Sequence, residues 1–176
     1  MNRWYLSIGL LLIFSLFSWQ CSDNREPLFV MEMEVDFVIP PGLNSFDTHY
    51  FIIPNVPTRI QNYLGTTRNK EAIIEVLPNR AELNGLFGGI DWGIVQEVVI
   101  HAVPQNNPQL SREIFYQDRI NFDNVKELRL FGSLPNVRDI LLEDRMTLEI
   151  RLNFRRTTPI EIESRLTMNF IVNGPK

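Results

Sequence analysis

The chain has few residues suited to catalysis or to metal binding. Its 176 residues include one cysteine and two histidines, His49 and His101. A single cysteine cannot form an internal disulfide bond, and a zinc site made from cysteine and histidine needs several such ligands at close spacing. We therefore expect no metal site and no cofactor.

Motifs for catalysis and for nucleotide binding are missing as well. The sequence contains no G-x-S-x-G elbow, no P-loop and no H-E-x-x-H pair. The glycines of residues 84–89 do not form the G-x-G-x-x-G loop of dinucleotide-binding domains. His101 lies in the apolar run Val99–Val103, where a lone histidine is more often a core or edge residue than a base. The sequence thus predicts a protein without enzymatic activity.

Basic residues are in slight deficit. The chain has 17 lysines and arginines against 21 aspartates and glutamates, a net charge of −4. Nucleic-acid binding needs a basic patch, so this balance argues against a nucleic-acid partner. The hydrophobic fraction of 44% suits one domain with a buried core.

The first 20 residues have the pattern of an export signal. Arg3 is followed by Trp4–Trp19, a run of 16 residues without charge. A membrane-spanning helix needs about 20 apolar residues, whereas a signal peptide needs fewer. Cys21 follows directly, and residues 22–27 are polar, as in a tether.

This arrangement of Arg3, the apolar run and Cys21 resembles a bacterial lipoprotein signal. The resemblance covers the first 21 residues and is nearest to the loose lipobox of Bacteroidota, since Ser18 and Gln20 stand where the usual lipobox has leucine and a small residue. It implies a diacylglycerol thioether on Cys21, further acylation of the amine freed by cleavage, and anchoring in the cell envelope, at the outer membrane. An uncleaved apolar anchor and an ordinary signal peptide ending near a cysteine are the alternatives.

Residues 28–176 have the pattern of a single β domain. Apolar and polar residues alternate over most of 29–37, 146–154 and 160–172, which is typical of half-buried strands. Two Pro-Asn-Val units, at 54–56 and 135–137, each precede a short helical pattern. The prediction is an all-β fold: an antiparallel immunoglobulin-like β-sandwich of seven to eight strands with one or two short helical crossovers. A small barrel is the alternative.

The last two strands are predicted to pair as a hairpin across a short polar link. One register places Arg151 opposite Glu163 and Glu149 opposite Arg165. Opposite charges across a strand pair are favourable, and a shift by two residues brings like charges together. We therefore expect this register.

Acidic residues occur together in two places. Glu32, Glu34 and Asp36 share one face of the first strand, where we expect a solvated face or ion pairs with a neighbouring strand rather than a cation site. The loop 118–124 is rich in oxygen ligands, but its spacing does not match a calcium-binding loop.

Trp92 is the candidate contact for a ligand or a partner. It follows Gly88 and Gly89 at a corner between a loop and a strand, and exposed tryptophans stack on sugars and anchor protein interfaces. The alternative is that Trp92 closes the core, where Phe115, Tyr116 and Phe122 are also expected.

Two functions therefore remain open. The first is a membrane-anchored envelope lipoprotein that acts as a structural or protein-interaction module, and the alternative is a surface glycan-binding module in carbohydrate uptake. An open edge strand or an exposed apolar patch would favour the protein partner, and an exposed aromatic platform would favour the glycan.

Overall fold

The computed structural model describes residues 24–65, 69–122 and 124–176. The predicted signal peptide and the lipid attachment site Cys21 lie outside the described residues. Within the described ranges, no helix is both long and apolar enough to span a bilayer.

The described chain forms eight strands, two short α-helices and three 3₁₀ turns. The strands are β1 (Arg25–Ile39), β2 (Thr48–Pro57), β3 (Glu75–Gly85), β4 (Val95–Pro104), β5 (Arg112–Gln117), β6 (Leu128–Gly132), β7 (Arg145–Phe154) and β8 (Ile162–Pro175). The helices are α1 (Ile60–Leu64) and α2 (Arg138–Leu141), and the 3₁₀ turns are Lys70–Ala72, Trp92–Ile94 and Pro108–Leu110.

All strands pair antiparallel in a nested order. β1 pairs with β8, β2 with β7, β3 with β6 and β4 with β5. Further ladders of β3 with β8, β4 with β7 and β5 with β6 join them into one sheet of order β1-β8-β3-β6-β5-β4-β7-β2. This nested pairing of eight strands is the topology of a jelly roll.

The predicted all-β antiparallel fold with few helices is confirmed. The immunoglobulin-like arrangement is not, because the first strand of that fold lies beside the second, whereas β1 here pairs with β8. Local alternation is the same in both folds, so the strand pattern could not separate them.

One face of the curled sheet encloses the core. The inward residues of β1 (Met31 to Ile39), β7 (Met146 to Phe154) and β8 (Ile162 to Val172) alternate with exposed or half-buried ones, as the period of two predicts. Phe115 of β5 and Phe170 of β8 meet edge to face with ring centroids 5.4 Å apart. Strands from the two halves of the sheet thus share one apolar interior.

The predicted hairpin register of the last two strands is wrong. Within the described residues, β7 pairs with β4 and β2, while β8 pairs with β1 and β3. Arg151 lies opposite Tyr50 and Val99 rather than Glu163. Arg165 finds its carboxylate on β1, where it donates two hydrogen bonds to Asp36 at 2.7 and 2.9 Å. The link 155–161 crosses between the two halves of the sheet, so the charges are satisfied by strands distant in sequence.

The helix α1 follows the first Pro-Asn-Val unit, where the sequence predicts a short helix. Ile60 and Leu64 are buried, and Gly65 ends the helix with a φ of 63°. Thr58, which precedes the helix, is buried and donates its hydroxyl to the carbonyl of Glu143 at 2.6 Å. This bond ties the segment before α1 to the segment after α2.

The first strand extends into the segment 22–27, which is polar in sequence. β1 starts at Arg25, inside the segment predicted as a tether, and its first residues pair with the end of β8. The Arg25 guanidinium also contacts Glu75 at 2.6 Å.

Candidate functional site

Trp92 lies in the core and is fully buried. Its backbone N–H donates to the carbonyl of Val125 at 2.8 Å, which joins two loops. A Cβ on the next residue, Gly93, would collide with the carbonyl of Phe122. The structure shows the alternative, in which Trp92 closes the core. The prediction that Trp92 contacts a ligand or a partner is therefore contradicted by its burial.

The polar candidates include His101 and the acidic residues of the first strand. Among the described residues, no group of three or more histidine, cysteine, aspartate or glutamate side chains could hold a metal ion. His101 is half-buried, and its Nδ1 has no hydrogen-bond partner among the described residues. The carboxyl of Asp36 bonds Arg165, and this hydrogen bond holds its pKa below the usual range. The first-strand carboxylates thus include an ion pair with the neighbouring strand, as expected.

Four loops meet at one end of the molecule, which we call the loop end. They connect β1 to β2, β3 to β4, β5 to β6 and β7 to β8. Their described residues are 40–47, 86–94, 118–122 with 124–127, and 155–161. Antiparallel pairing requires these connections to lie on the same side, because β1 ends where β8 begins and β3 ends where β6 begins.

Arg155 holds three of these loops together. Its guanidinium donates to the carbonyls of Gly93 (3.1 Å), Val95 (2.6 Å) and Ile120 (2.8 Å). The same group lies 4.4 Å from the ring centroid of Phe122, within the range of a cation–π interaction. One half-buried side chain therefore fixes the relative positions of the loops after β3, β5 and β7.

Thr158 joins the remaining loop to this cluster. Its hydroxyl donates to the carbonyl of Pro40 and accepts from the N–H of Leu43, both at 2.9 Å. Its carbonyl accepts from the N–H of Gly42 at 2.9 Å. The loop after β1 is thus bound to the loop after β7.

Asp91 adds a charged clasp between two loops. Its carboxylate accepts from the backbone N–H groups of Gly93 and Val125, both at 2.9 Å. These hydrogen bonds favour the ionised form and lower the pKa of Asp91. The carboxylate is therefore used by the fold.

Every loop of the loop end presents an exposed apolar side chain. They are Phe46, Phe87, Phe122 and Ile160, with 95%, 82%, 72% and 59% of their surface exposed. Single exposed apolar residues are common on soluble domains, but here one stands on each of four loops that lie at the same end.

Phe122 shows what the sequence reasoning missed. The expectation that Phe115 is in the core is confirmed, whereas Tyr116 and Phe122 are exposed. Phe46 and Phe87 lie among serine, asparagine and glycine residues outside any alternating run. This isolation in polar loops was the available signal.

A groove separates the two edge strands of the sheet, β1 and β2. Its volume is about 690 Å³, and its walls come from β1 (residues 32–36) and from the end of β2 and the segment after it (residues 53–59). Beneath it, the rings of Phe37 and Phe51 are 5.5 Å apart and close the core. The inward side chains of β1 and β2 therefore meet while their backbones stay apart.

A pair of aromatic rings lies on the outside of the sheet. Tyr116 and Phe131 are both partly exposed, with ring centroids 6.1 Å apart and planes tilted by 50°. A shallow hollow of about 200 Å³ beside Tyr116 is lined by polar side chains that include Glu97 and Arg151. The tilt prevents the two rings from forming one flat platform.

Neither a family model nor a curated protein matches this sequence. Solved structures with some likeness include the cyanophage Pam1 capsid asymmetric unit (7% identity, 81% of this chain and 84% of that chain, TM-score 0.38) and Desmodium yellow mottle tymovirus (13%, 86% and 84%, 0.34). The infectious bursal disease virus Gx strain matches over 88% of this chain and 33% of that chain at 9% identity, with a TM-score of 0.36. Likeness at this level carries no argument about the present chain.

Proposed function

We propose that this protein is an envelope lipoprotein, anchored through Cys21 at the outer membrane, that binds another envelope protein without catalysing a reaction. The observation that carries the proposal is the loop end, where Phe46, Phe87, Phe122 and Ile160 are exposed on loops held by Arg155 and Thr158.

The position of the loop end suits such a role. β1 begins at Arg25, close to the proposed anchor, and its 15 residues end at the loop end. At about 3.3 Å per residue, this strand spans about 50 Å. An anchored domain standing upright on the membrane would present the four apolar side chains away from the bilayer, toward a partner.

The rigidity of the loop end favours recognition. Aromatic side chains are enriched in protein interfaces and supply much of their binding energy. Hydrogen bonds that hold the loops before binding reduce the entropy lost on association. A fixed set of apolar anchors thus fits a protein partner with matching apolar pockets.

A photo-crosslinking experiment tests this proposal. The full-length chain carries a photo-reactive amino acid in place of Phe46 or Phe87, and control chains carry it in place of Arg80 or Arg129, exposed residues on the strands. We expect both loop positions to yield an adduct with the same envelope protein in intact cells, and the control positions to yield none. Equal adducts from all four positions, or none at the loops, would refute the proposal.

The anchor has its own readout in the same samples. The intact mass should show a chain that starts at Cys21 and carries acyl groups. A chain that starts at Met1, or a cleaved chain without acyl groups, would refute the lipoprotein assignment and leave the loop-end result to be judged separately.

A glycan-binding function is the second proposal, and the exposed rings of Tyr116 and Phe131 are the observation in its favour. Exposed aromatic faces stack on sugar rings. A glycan array with the purified protein tests it, since Tyr116→Ala should abolish a true signal while Tyr50→Ala, a change at an exposed tyrosine on β2, should not. An array without any signal would remove this alternative.

A further inference from the structure

The outer edge of β1 is open beside the groove. The hydroxyl of Tyr63 accepts from the N–H of Glu32 at 3.2 Å and donates to its carbonyl at 3.1 Å, so the backbone of Glu32 points away from β8. Along an antiparallel strand, the backbone N–H and C=O groups of successive residues point alternately toward the two neighbouring strand positions. The backbone groups of Glu34, Asp36 and Val38 therefore point away from β8, like those of Glu32.

The hydrogen bonds on the opposite edge of β8 support this assignment independently. The carbonyl of Asn173 on β8 accepts from the N–H of Ile74 at 2.9 Å and so points toward the β3 side. The backbone N–H and C=O groups of the odd-numbered residues of β8 therefore point toward β3, and those of the even-numbered residues point toward β1. The even-numbered residues of β8 lie opposite odd-numbered residues of β1, as Leu166 lies opposite Val35. The backbone groups of the even-numbered residues of β1 therefore face the groove.

The open stretch is long enough to bind a strand. Tyr63 occupies the backbone groups of Glu32. In the described part of the chain, the outward backbone groups of Glu34 and Asp36 form no hydrogen bond with the residues that line the groove. From Glu34 to Val38 the edge offers five residues, and a typical strand has about five or six.

We propose that this edge binds an extended segment of another protein as a ninth strand, and that the segment alternates basic and apolar residues. Side chains directly opposite one another in a sheet lie on the same face, so lysine or arginine is favoured opposite Glu34 and Asp36. The intervening residues of the segment would face inward beside Met33 and Val35, which are buried and apolar.

The same acids disfavour a second copy of this chain as the occupant. Two β1 edges paired antiparallel would place Glu34 and Asp36 opposite carboxylates, and like charges across a strand pair are destabilising. Glu34 is only 3.8 Å from Arg165, which bonds Asp36 more closely, so the Glu34 carboxylate can still accept from an incoming cation. Charge thus selects a basic segment of a different protein.

This inference goes beyond the proposed function by assigning a second surface, the open edge of β1, and it rests on that function only in taking the partner to be a protein. The probe is a synthetic peptide of alternating lysine and valine, seven residues long and blocked at both ends. One control peptide has glutamate in place of lysine. A second is methylated on the lysine backbone nitrogens, which removes the hydrogen bonds to the edge and keeps the charges.

Hydrogen exchange of the full-length protein in detergent is the readout. We expect the lysine peptide to slow exchange of the amides of Glu34 and Asp36 about tenfold at saturation, while the methylated and glutamate peptides leave it unchanged. Glu34→Gln should weaken binding about two- to fivefold, and Glu161→Gln, a change at an exposed carboxylate in the loop end, should not alter it.

The contrary results are equally clear. Absence of binding, equal binding of the lysine and glutamate peptides, or protection away from residues 34–38 would overturn the proposal. Protection that rises with protein concentration before any peptide is added would show self-pairing and overturn it too. The intact mass of the same sample reports on acylation, so a failed anchor is distinguished from a failed edge.

Discussion

Removal of the Arg155 side chain should loosen the loop end and destabilise the domain. In Arg155→Ala the carbonyls of Gly93, Val95 and Ile120 lose their donor, and Phe122 loses its cation. Hydrogen bonds from a charged donor contribute about 1.5–3 kcal/mol each. Water can replace part of them at this half-buried site, so we expect a loss of about 2–4 kcal/mol in the free energy of unfolding.

Urea denaturation and thermal melting measure this loss. For a domain of this size, 1 kcal/mol corresponds to about 2–4 °C in Tm, so the melting temperature should fall by about 5–15 °C. Exchange of the amides of Trp92 and Val125, which lie in the loops that Arg155 joins, should become faster.

The neighbouring residue provides a matched control. Arg156 carries the same charge but is exposed, so Arg156→Ala should change the free energy of unfolding by less than about 0.5 kcal/mol. Arg155→Lys should lie between the two, because an ammonium keeps the charge without the planar fork that reaches several carbonyls. If Arg155→Ala were no more destabilising than Arg156→Ala, the role assigned to Arg155 would be wrong.

Three further changes test other parts of the structure. Trp92→Ala should cost about 3–5 kcal/mol in urea denaturation as a core truncation, and a cost below about 1 kcal/mol would contradict its burial. Thr158→Val removes a hydroxyl that joins two loops and should cost about 1–3 kcal/mol, whereas Thr157→Val, at an exposed site, should be neutral. The pKa of Asp91 is lowered from its ordinary 3.8 in the folded state, so its stabilising effect is present above that value and is lost as the pH falls through the folded pKa. The stability difference between the wild type and Asp91→Asn should therefore shrink on acidification from about pH 6 to about pH 2, and a constant difference would contradict the clasp.

Which side chains of the long strands face the core could be predicted from the sequence. The alternation in β1, β7 and β8 follows from the period of two in an extended backbone, a local property that every residue reports. The short helix after the first Pro-Asn-Val unit is an equally local feature.

Strand pairing could not be obtained in the same way. The charge argument for the last two strands compared registers of one pair and had no means to compare other partners. Arg165 satisfies its charge with Asp36, 129 residues earlier in the chain. Nested pairing brings together strands from opposite ends of the sequence, and only the folded chain shows it.

The candidate surfaces, like the strand pairing, depend on the tertiary structure. The sequence by itself determined the all-β class, the faces of the long strands and the scarcity of catalytic groups, because composition and local periodicity contain that information. Only the tertiary structure decided that Trp92 is buried while Phe122 is exposed, that four loops converge on Arg155 and Thr158, and that the edge of β1 is open. Loops have no period, and both the burial of their side chains and the pairing of an edge depend on neighbours that folding supplies from distant parts of the chain.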